Sequence, residues 1–397
     1  MNQKKLGFLF CAVYFVSYIT RMNYAAVLAE IIVDLGISKQ LASIAVTGSF
    51  ITYGIGQVFS GVIGDKFKAE KVILFGVVGT SVVNLSMVFL PNIYAINALW
   101  CVNGFFQSLL WPPLVRLVSE YFSGYDYAKQ ISRISQASYI ATVTVYALSP
   151  FIIHLFSWKG VFAVFGSIGA VFSIIWYMGT KKLCTASSVQ RKQSDSRKIP
   201  MSVMISSGMI PIFLATVFQG FLKDGLTTWM PTYITEVFNL DTSVSILSTT
   251  ILPIFSVLSL SVITRIGKAI NNEVKSAFVF FVTALCCNIV IIALFSKFAV
   301  LDITAMALIT SCMHGVNIML VGNVPVHFHR FGKVSTISGI INSATYIGSA
   351  VSTYAFALIS DKFGWNFTVS AWAIIASLGA VLCLTCIRKW KGFRTND

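Results

Sequence analysis

The chain has 397 residues, of which 56% are hydrophobic and only 11% are charged. This composition lies far outside the range of soluble proteins and indicates a protein embedded in a lipid bilayer. The formal net charge of +15 does not indicate a nucleic-acid partner, because the basic residues occupy short polar breaks between apolar runs, where they act as signals of membrane topology.

Twelve apolar segments are long enough to cross a bilayer, since a transmembrane helix needs about 20 mainly apolar residues. The predicted fold is therefore an all-α membrane protein. The sequence shows no cluster of catalytic residues, glycine-rich phosphate loop or metal-binding pattern, so we expect no enzymatic activity, cofactor or metal. The predicted spans cover residues 6–35, 41–61, 72–90, 93–120, 128–156, 158–179, 204–238, 243–262, 276–295, 301–327, 334–360 and 366–386.

The distribution of Lys and Arg predicts how the chain is oriented. With the amino terminus inside the cell, the cytoplasmic breaks hold 23 of the 29 basic residues and the outer breaks hold 4. Because cytoplasmic loops carry the excess of Lys and Arg, both termini and the central break should lie in the cytoplasm. The central polar stretch, residues 181–203, is then a basic linker between a first half, residues 1–180, and a second half, residues 204–397.

The first span contains an arginine, Arg21, within the stretch Ser-Tyr-Ile-Thr-Arg-Met-Asn-Tyr. An arginine at the centre of a span costs about 2.5–3.5 kcal/mol on insertion scales, so it is expected to face a polar interior. A second cation, Lys223, lies 202 residues further on in the seventh span. Two cations at matching positions in two halves predict the two walls of one anion-binding site.

Other short patterns recur in the two halves. Phe-Ser-Trp at 156–158 precedes the sixth span, and Phe-Gly-Trp at 363–365 precedes the twelfth. Pro113 in the fourth span is matched by Pro325 in the tenth. These correspondences predict a duplicated six-span unit, and six plus six spans with a site near the middle of the membrane is the layout of major facilitator transporters.

The break after the second span reads Gly-Val-Ile-Gly-Asp-Lys-Phe-Lys-Ala-Glu-Lys at residues 61–71. It resembles the signature loop of the major facilitator superfamily, in which small residues allow close helix packing and an acid with flanking bases closes the cytoplasmic face. The resemblance implies a gating role for Asp65, although a carboxylate in a solvated turn contributes little by itself. The corresponding break around Arg265 and Lys268 lacks the acid.

The fourth span carries a more specific match. Gly-Phe-Phe-Gln at 104–107, followed by Trp-Pro-Pro at 111–113 and Arg116, resembles the organophosphate:phosphate antiporter family of glycerol-3-phosphate and hexose-phosphate transporters. The resemblance extends over nearly the whole chain. Further matching stretches lie at residues 18–23, 53–57 and 223–233.

The resemblance implies that two cations bind the substrate phosphate among aromatic side chains. In that family the cations are arginines of the first and seventh spans; Arg21 matches the first, whereas Lys223 replaces the second. Lysine offers a compact point charge, whereas arginine can bind an oxyanion through two parallel hydrogen bonds. The aromatic positions are occupied by Tyr14, Tyr18, Tyr53, Trp111 and Tyr346.

Other positions depart from the family pattern and reduce its positive charge. By the resemblance, Gln57 and Met22 stand where the family has basic residues, and Ser138 stands in place of a histidine. His314 stands in place of a tyrosine. With fewer cations to compensate a doubly charged group, we expect a substrate of weaker or single negative charge, or a proton that travels with it. Gln57, Ser138 and His314 remain candidates for substrate binding.

Several polar residues inside spans have more than one interpretation. Asp224 can be a proton site, a gate partner or a fixed counter-ion. Adjacent helical side chains point about 100° apart, so Lys223 is not expected to face Asp224. His314 can be a hydrogen-bonded core residue, a pH sensor or a substrate ligand. Asn23 and Gln107 can line a cavity or bond across helices.

The predicted function is secondary active transport of a small organic anion, such as a sugar phosphate or glycerol phosphate, across a bacterial inner membrane. The family resemblance implies exchange for inorganic phosphate. Proton-coupled symport of a carboxylate or another weakly charged solute, through Asp224 or His314, is the rival mechanism. A membrane ligand sensor and an exporter of lipophilic compounds are further alternatives. The expected partners are the anion, the bilayer and phosphate or protons; we expect a monomer and no nucleic acid.

Overall fold

The computed structural model describes residues 3–37, 39–90, 92–186, 200–240 and 251–395, and within these ranges the chain is almost entirely helical and contains no strand. Parts of the predicted linker, at 187–199, and of the predicted eighth span, at 243–250, lie outside the described residues. The helices are α1 (Gln3–Leu35), α2 (Lys39–Lys66), α3 (Ala69–Met87), α4 (Ile93–Ser108), α5 (Trp111–Tyr121), α6 (Gly124–Ala186), α7 (Met201–Ser206), α8 (Met209–Phe238), α9 (Ile251–Ile270), α10 (Glu273–Ala293), α11 (Ala299–Asn317) and α12 (Val334–Thr395).

Long apolar helices make this an all-α, multi-pass membrane protein, as the sequence predicts. Among the described residues, nine helices are long and apolar enough to cross a membrane. Two helices contain a residue with non-helical backbone, Ser157 in α6 and Gly364 in α12. Both breaks fall between spans that the sequence predicts as consecutive. The number of twelve spans remains a prediction.

The prolines that match between the halves lie at irregular points of the backbone. α4 ends at Ser108, and α5 begins at Trp111 with prolines in its first turn, one of which is Pro113. α11 continues as a π-helix (Ile318–Asn323) and then as a 3₁₀-helix (Val324–Phe331) that contains Pro325. A proline has no amide hydrogen to donate and its ring crowds the preceding turn, so a regular α-helix is interrupted at each point.

The chain forms two compact units. One comprises Met1–Arg197 with Phe328–Ile340, and the other comprises Lys198–His327 with Ile341–Asp397. In the first unit, buried Tyr24 packs on Trp100, with the ring centroids 5.1 Å apart, and its hydroxyl donates to the Ala42 carbonyl at 3.0 Å. A buried tyrosine needs such a partner because its hydroxyl is polar.

The core of the second unit is also organised around a tyrosine. The ring of Tyr233 lies 5.4 Å from that of Trp365 and 6.0 Å from that of Trp372. Its hydroxyl donates to Asp302 Oδ2 at 2.5 Å, and both side chains are buried. Asp302 was not singled out by the sequence, in which it stands at the predicted outer end of the tenth span.

A tryptophan–carboxylate hydrogen bond occurs in both units. In the first, Trp158 Nε1 donates to Asp34 Oδ2 at 2.8 Å, which ties α6 to the end of α1. In the second, Trp365 Nε1 donates to Glu236 Oε2 at 2.7 Å, which ties α12 to the end of α8. Each tryptophan follows the non-helical residue of its helix. These bonds give the matching Phe-Ser-Trp and Phe-Gly-Trp patterns the same structural role.

Candidate functional site

The first part of the candidate site is the surroundings of Arg21 on α1. Its guanidinium carbon lies 4.0 Å from the ring centroid of Tyr53 on α2, and 5.8 Å from those of Tyr18 and Phe50. Aromatic faces attract a cation, and a guanidinium can bind an anion through charge-assisted hydrogen bonds. The structure therefore brings Arg21 together with two of the predicted aromatic residues, Tyr18 and Tyr53.

Two more of the predicted aromatic residues, Tyr14 on α1 and Trp111 on α5, extend this cluster. The ring of Tyr14 lies 5.1 Å from that of Tyr18 and 5.0 Å from that of Trp111. Trp111 is the first residue of α5, immediately after the break that follows α4, and is 4% exposed. Among the described residues its indole Nε1 has no hydrogen-bond partner. The break in the fourth span thus places an aromatic N–H donor beside Tyr14.

Two other predicted site residues form bonds within the first unit. Gln57 is completely buried, and its Nε2 donates to the Ser108 carbonyl at 3.2 Å, which joins α2 to α4. The hydroxyl of Ser138 donates to the Ser135 carbonyl of its own helix at 2.7 Å. Asn23 and Gln107 both bond across helices, to Asn84 and to the α1 backbone. For Asn23 and Gln107 the sequence allowed either cavity lining or bonding across helices, and the structure shows bonding across helices.

The second part of the candidate site is Lys223 on α8. Its Nζ lies 3.4 Å from Asp224 Oδ1 and 5.9 Å from the ring centroid of Tyr346 on α12. The expectation that Lys223 would not face Asp224 was wrong. The long, flexible lysine side chain bends around the helix to reach the neighbouring carboxylate, which the directions of the two Cβ atoms do not reveal.

Both helices that pack against this ion pair contribute polar groups. Asp224 Oδ2 accepts a hydrogen bond from the hydroxyl of Ser349 on α12, and α11, which packs against α8, carries the half-buried His314. Gln219, one turn before the lysine, donates to the Met313 carbonyl at 3.2 Å and accepts from the hydroxyl of Thr345 at 3.1 Å. The sequence did not indicate Ser349, because a lone serine among small residues is a common feature of a span.

The predicted gating residue, Asp65, lies at the end of α2 and binds the first turn of α12. Its two carboxylate oxygens accept from the backbone amides of Ser335, at 2.9 Å, and Thr336, at 2.7 Å. A carboxylate at a helix N-terminus satisfies amides that lack helical partners and interacts favourably with the helix dipole. Gly339, one turn later, allows this close approach, since a Cβ there would collide with the Gln57 carbonyl oxygen.

The basic partner in this region is an arginine from another helix. Arg116 of α5 donates to the carbonyls of Gly64 and Asp65, the latter at 2.9 Å, and pairs with Glu120 at 2.8 Å. It therefore binds the backbone that carries Asp65. Both the acid and the arginine belong to stretches on which the family resemblance rests.

Each unit carries a cation of a kind that can bind an anion. Arg21 offers N–H groups inside an aromatic cluster, and Lys223 offers an ammonium group whose charge is partly balanced by Asp224. Among the described residues, no group of His, Cys, Asp or Glu side chains could hold a metal ion. These features, carried on long apolar helices, define a polytopic membrane protein with a cation in each of its two units.

The chain belongs to the Major Facilitator Superfamily, whose family model matches residues 10–353. Solved structures of the same fold include a bacterial homologue of the iron transporter ferroportin in an outward-facing state, with a TM-score of 0.73 over 97% of this chain and 99% of the other. They also include a proton:xylose symporter of this superfamily, with a TM-score of 0.76 over 97% of this chain and 96% of the symporter. Both are 12% identical to this chain.

Sequence relatives carry transporter and sensor names. A probable hexose phosphate transport protein of Chlamydia trachomatis is 27% identical over 158 residues, which are 40% of this chain and 35% of the relative. The rice probable anion transporter 4, chloroplastic, is 22% identical over an alignment of 413 positions, gaps included, which covers 95% of this chain and 66% of the relative. The membrane sensor protein UhpC of Escherichia coli K12 is 29% identical over 110 residues, or 28% and 25%. The matches thus span between a quarter and just under two thirds of these relatives.

Proposed function

We propose that this protein is a secondary active transporter of a small organic anion, such as a sugar phosphate or glycerol phosphate, and that it exchanges the anion for inorganic phosphate. The observation that carries the proposal is Arg21, held inside the membrane protein over the ring of Tyr53. A cation inside a span is costly and therefore rare, and where it occurs it usually marks a substrate site or an ion pathway. The names of the hexose phosphate and anion transporter relatives support this substrate class.

The charge near Lys223 favours a weakly charged substrate. Asp224 lies 3.4 Å from the ammonium group and offsets part of its attraction for an anion. Arg21 and Lys223 together would then compensate a single negative charge better than two. In this proposal the aromatic residues that contribute to anion binding are Tyr14, Tyr18, Tyr53 and Trp111 in the unit of Arg21, and Tyr346 in the unit of Lys223. Gln57 and Ser138 are weaker candidates, since their polar groups already bond within the first unit.

Proton-coupled symport of a carboxylate is the second candidate mechanism, and the surroundings of Lys223 favour it. Asp224 lies 3.4 Å from the ammonium group of this lysine and His314 lies on the neighbouring helix α11, so a proton on either group would change the charge that the substrate meets. In both mechanisms Asp65 is the gating residue, and the substrate acts by binding the two conformations of the protein with different affinities. We further propose a monomer in a bacterial cytoplasmic membrane.

The first test is thermal unfolding of the purified protein with inorganic phosphate, glycerol 3-phosphate, glucose 6-phosphate and a set of carboxylates. A ligand that binds only the folded protein raises its melting temperature with dose. Stabilisation by the phosphate compounds supports exchange, whereas stabilisation by carboxylates alone supports the second mechanism. No stabilisation by any anion, together with no anion uptake into liposomes, would contradict the proposal.

Arg21→Ala tests the role of the central cation. We expect loss of phosphate-dependent stabilisation and of exchange in phosphate-loaded liposomes, with the amount of folded protein unchanged. The matched control is Arg133→Ala, because Arg133 is an exposed arginine of the same unit, and this variant should behave as the wild type. If wild-type protein binds phosphate compounds but transports none of them, the transport proposal fails. The protein would then be a membrane ligand sensor, as the relative UhpC is named.

A further inference from the structure

Six polar side chains form one buried hydrogen-bond network between α1, α3 and α4, beside Arg21. None of them is more than 3% exposed. Polar groups at this depth are costly unless they are fully hydrogen-bonded, so a connected network of this size constrains the helices that carry it. Its members are Thr20, Asn23, Thr80, Asn84, Asn103 and Gln107.

The network converges on one main-chain carbonyl, that of Thr20, which directly precedes Arg21. Asn84 Nδ2 of α3 donates to this oxygen at 3.0 Å, and Asn103 Nδ2 of α4 donates to it at 3.1 Å. A carbonyl oxygen inside a helix ordinarily accepts only from the amide four residues later. The amide in that position, that of Tyr24, donates a hydrogen bond to Asn23 Oδ1 at 3.1 Å. The backbone of α1 is therefore held here by neighbouring helices as well as by its own bonds.

The remaining bonds fix the orientation of both asparagine amides. The hydroxyl of Thr80 donates to Asn103 Oδ1, and Asn23 Nδ2 donates to Asn84 Oδ1 at 2.6 Å. Since each amide oxygen is engaged in this way, each Nδ2 is directed to the Thr20 carbonyl. Gln107 Nε2 donates to the hydroxyls of Thr20 and Thr80, at 3.0 and 2.9 Å, and closes the network.

We propose that Asn84 and Asn103 are positioning residues for anion binding, which act through Arg21; the inference rests on the proposed function. Successive helical residues point about 100° apart. Holding Thr20 toward α3 and α4 therefore directs Arg21 toward α2, where it meets Tyr53. In the second unit, Gln219 ties α8 to α11 and α12 in a similar way, one turn before Lys223.

The test compares Asn84→Ala and Asn103→Ala with Asn97→Ala. Asn97 is a matched control because it is buried in the same unit and its Nδ2 donates to a main-chain carbonyl of α2, that of Leu41, at 3.0 Å. The affinity of each variant for inorganic phosphate and glucose 6-phosphate is taken from the dose dependence of the melting temperature. The maximal exchange rate is measured in liposomes. Asn84→Ser and Asn103→Ser keep a polar group and replace any alanine variant that does not fold.

We expect the variants at 84 and 103 to bind about tenfold more weakly, which corresponds to about 1.4 kcal/mol, and to keep their maximal exchange rate at saturating substrate. Asn97→Ala should lose comparable melting temperature without ligand and keep wild-type affinity. Wild-type affinity in the variants at 84 and 103, or equal weakening in Asn97→Ala, would overturn the positioning role. If the wild type itself binds no anion, the proposed function fails instead.

Discussion

The two candidate cations have different immediate surroundings. Arg21 lies over an aromatic ring, whereas Lys223 has a carboxylate 3.4 Å away on the adjacent residue. An aromatic face stabilises a cation without cancelling its charge, but a carboxylate competes directly with an anionic substrate. The two proposed mechanisms therefore predict different effects of a substitution at Asp224.

Asp224→Asn should distinguish exchange from proton symport. Removal of the competing charge should leave phosphate exchange intact and strengthen the binding of doubly charged phosphate esters several-fold. The measurements are phosphate exchange in liposomes and the dose dependence of the melting temperature. Asp126→Asn, an exposed acid on α6, is the control. Intact binding with loss of transport in Asp224→Asn would contradict exchange and support a proton carried by Asp224.

At the residue scale, the sequence could predict single side chains better than the pairs they form. Arg21 stands out because a cation inside an apolar run has a high free-energy cost. The Lys223–Asp224 pair could not be predicted, because it depends on side-chain torsion angles that helical periodicity does not specify. The role of Asn103 was equally hidden, since its acceptor is the backbone of Thr20 on a different helix.

The breaks in α6 and α12 are the elements at which sequence and backbone can be compared most directly. Ser157 has φ 65° and ψ 177°, and Gly364 has φ 80° and ψ 174°. This backbone region is accessible almost only to glycine and costs other residues about 1–3 kcal/mol. The same local conformation is thus formed by a suitable residue in one unit and by a strained residue in the other.

Ser157→Gly should stabilise the protein. Relief of the backbone strain should exceed the entropy cost of an added glycine, which is about 0.5–1 kcal/mol. Gly364→Ser is the reciprocal control and should lower the melting temperature, although a Cβ at Gly364 would meet no atom within 4 Å. Thermal unfolding in detergent measures both changes. A lower melting temperature for Ser157→Gly would show that the serine side chain contributes more than the strain costs.

At the element scale, apolar patterns predict membrane crossings more reliably than helix ends. The last predicted span stops at residue 386, whereas α12 continues to Thr395. A hydropathy pattern shows only the part of a helix that lies in the hydrocarbon core of the bilayer, and the helix itself can extend beyond that core. The basic residues Arg388 and Lys389 lie in this extension, at the end of the span where the sequence predicts the cytoplasm.

At the scale of the whole molecule, the fold class follows from composition, but the division into units does not follow from chain order. Residues Phe328–Ile340 belong to the same unit as Met1–Arg197. Asp65 meets its partners Ser335 and Thr336 about 270 positions further along the chain. The sequence marks Asp65 through the family resemblance, but a contact at this separation depends on the packing of α2 against α12.

The orientation of the whole chain is testable with reporter fusions. The excess of basic residues in alternate breaks predicts that the carboxyl terminus lies in the cytoplasm. Green fluorescent protein fused after residue 397 should fluoresce in bacteria, whereas alkaline phosphatase fused there should be inactive. Fusions in the break near Lys297, a predicted outer position, should give the opposite pattern. Active phosphatase at the carboxyl terminus would reverse the predicted orientation.

The tryptophan–carboxylate bonds also bear on the history of the molecule. Asp34 and Glu236 are separated by the same 202 positions as Arg21 and Lys223, and each accepts from a tryptophan at nearly equal length, 2.8 and 2.7 Å. Under the predicted duplication of a six-span unit, both copies have kept this bond. The guanidinium of Arg21 in the first half corresponds to the ammonium of Lys223 in the second, and Asp65 has no acidic counterpart around Lys268. On that prediction, divergence fell on the residues proposed to select the solute and to gate its passage, whereas the hydrogen bond that joins the helices was kept.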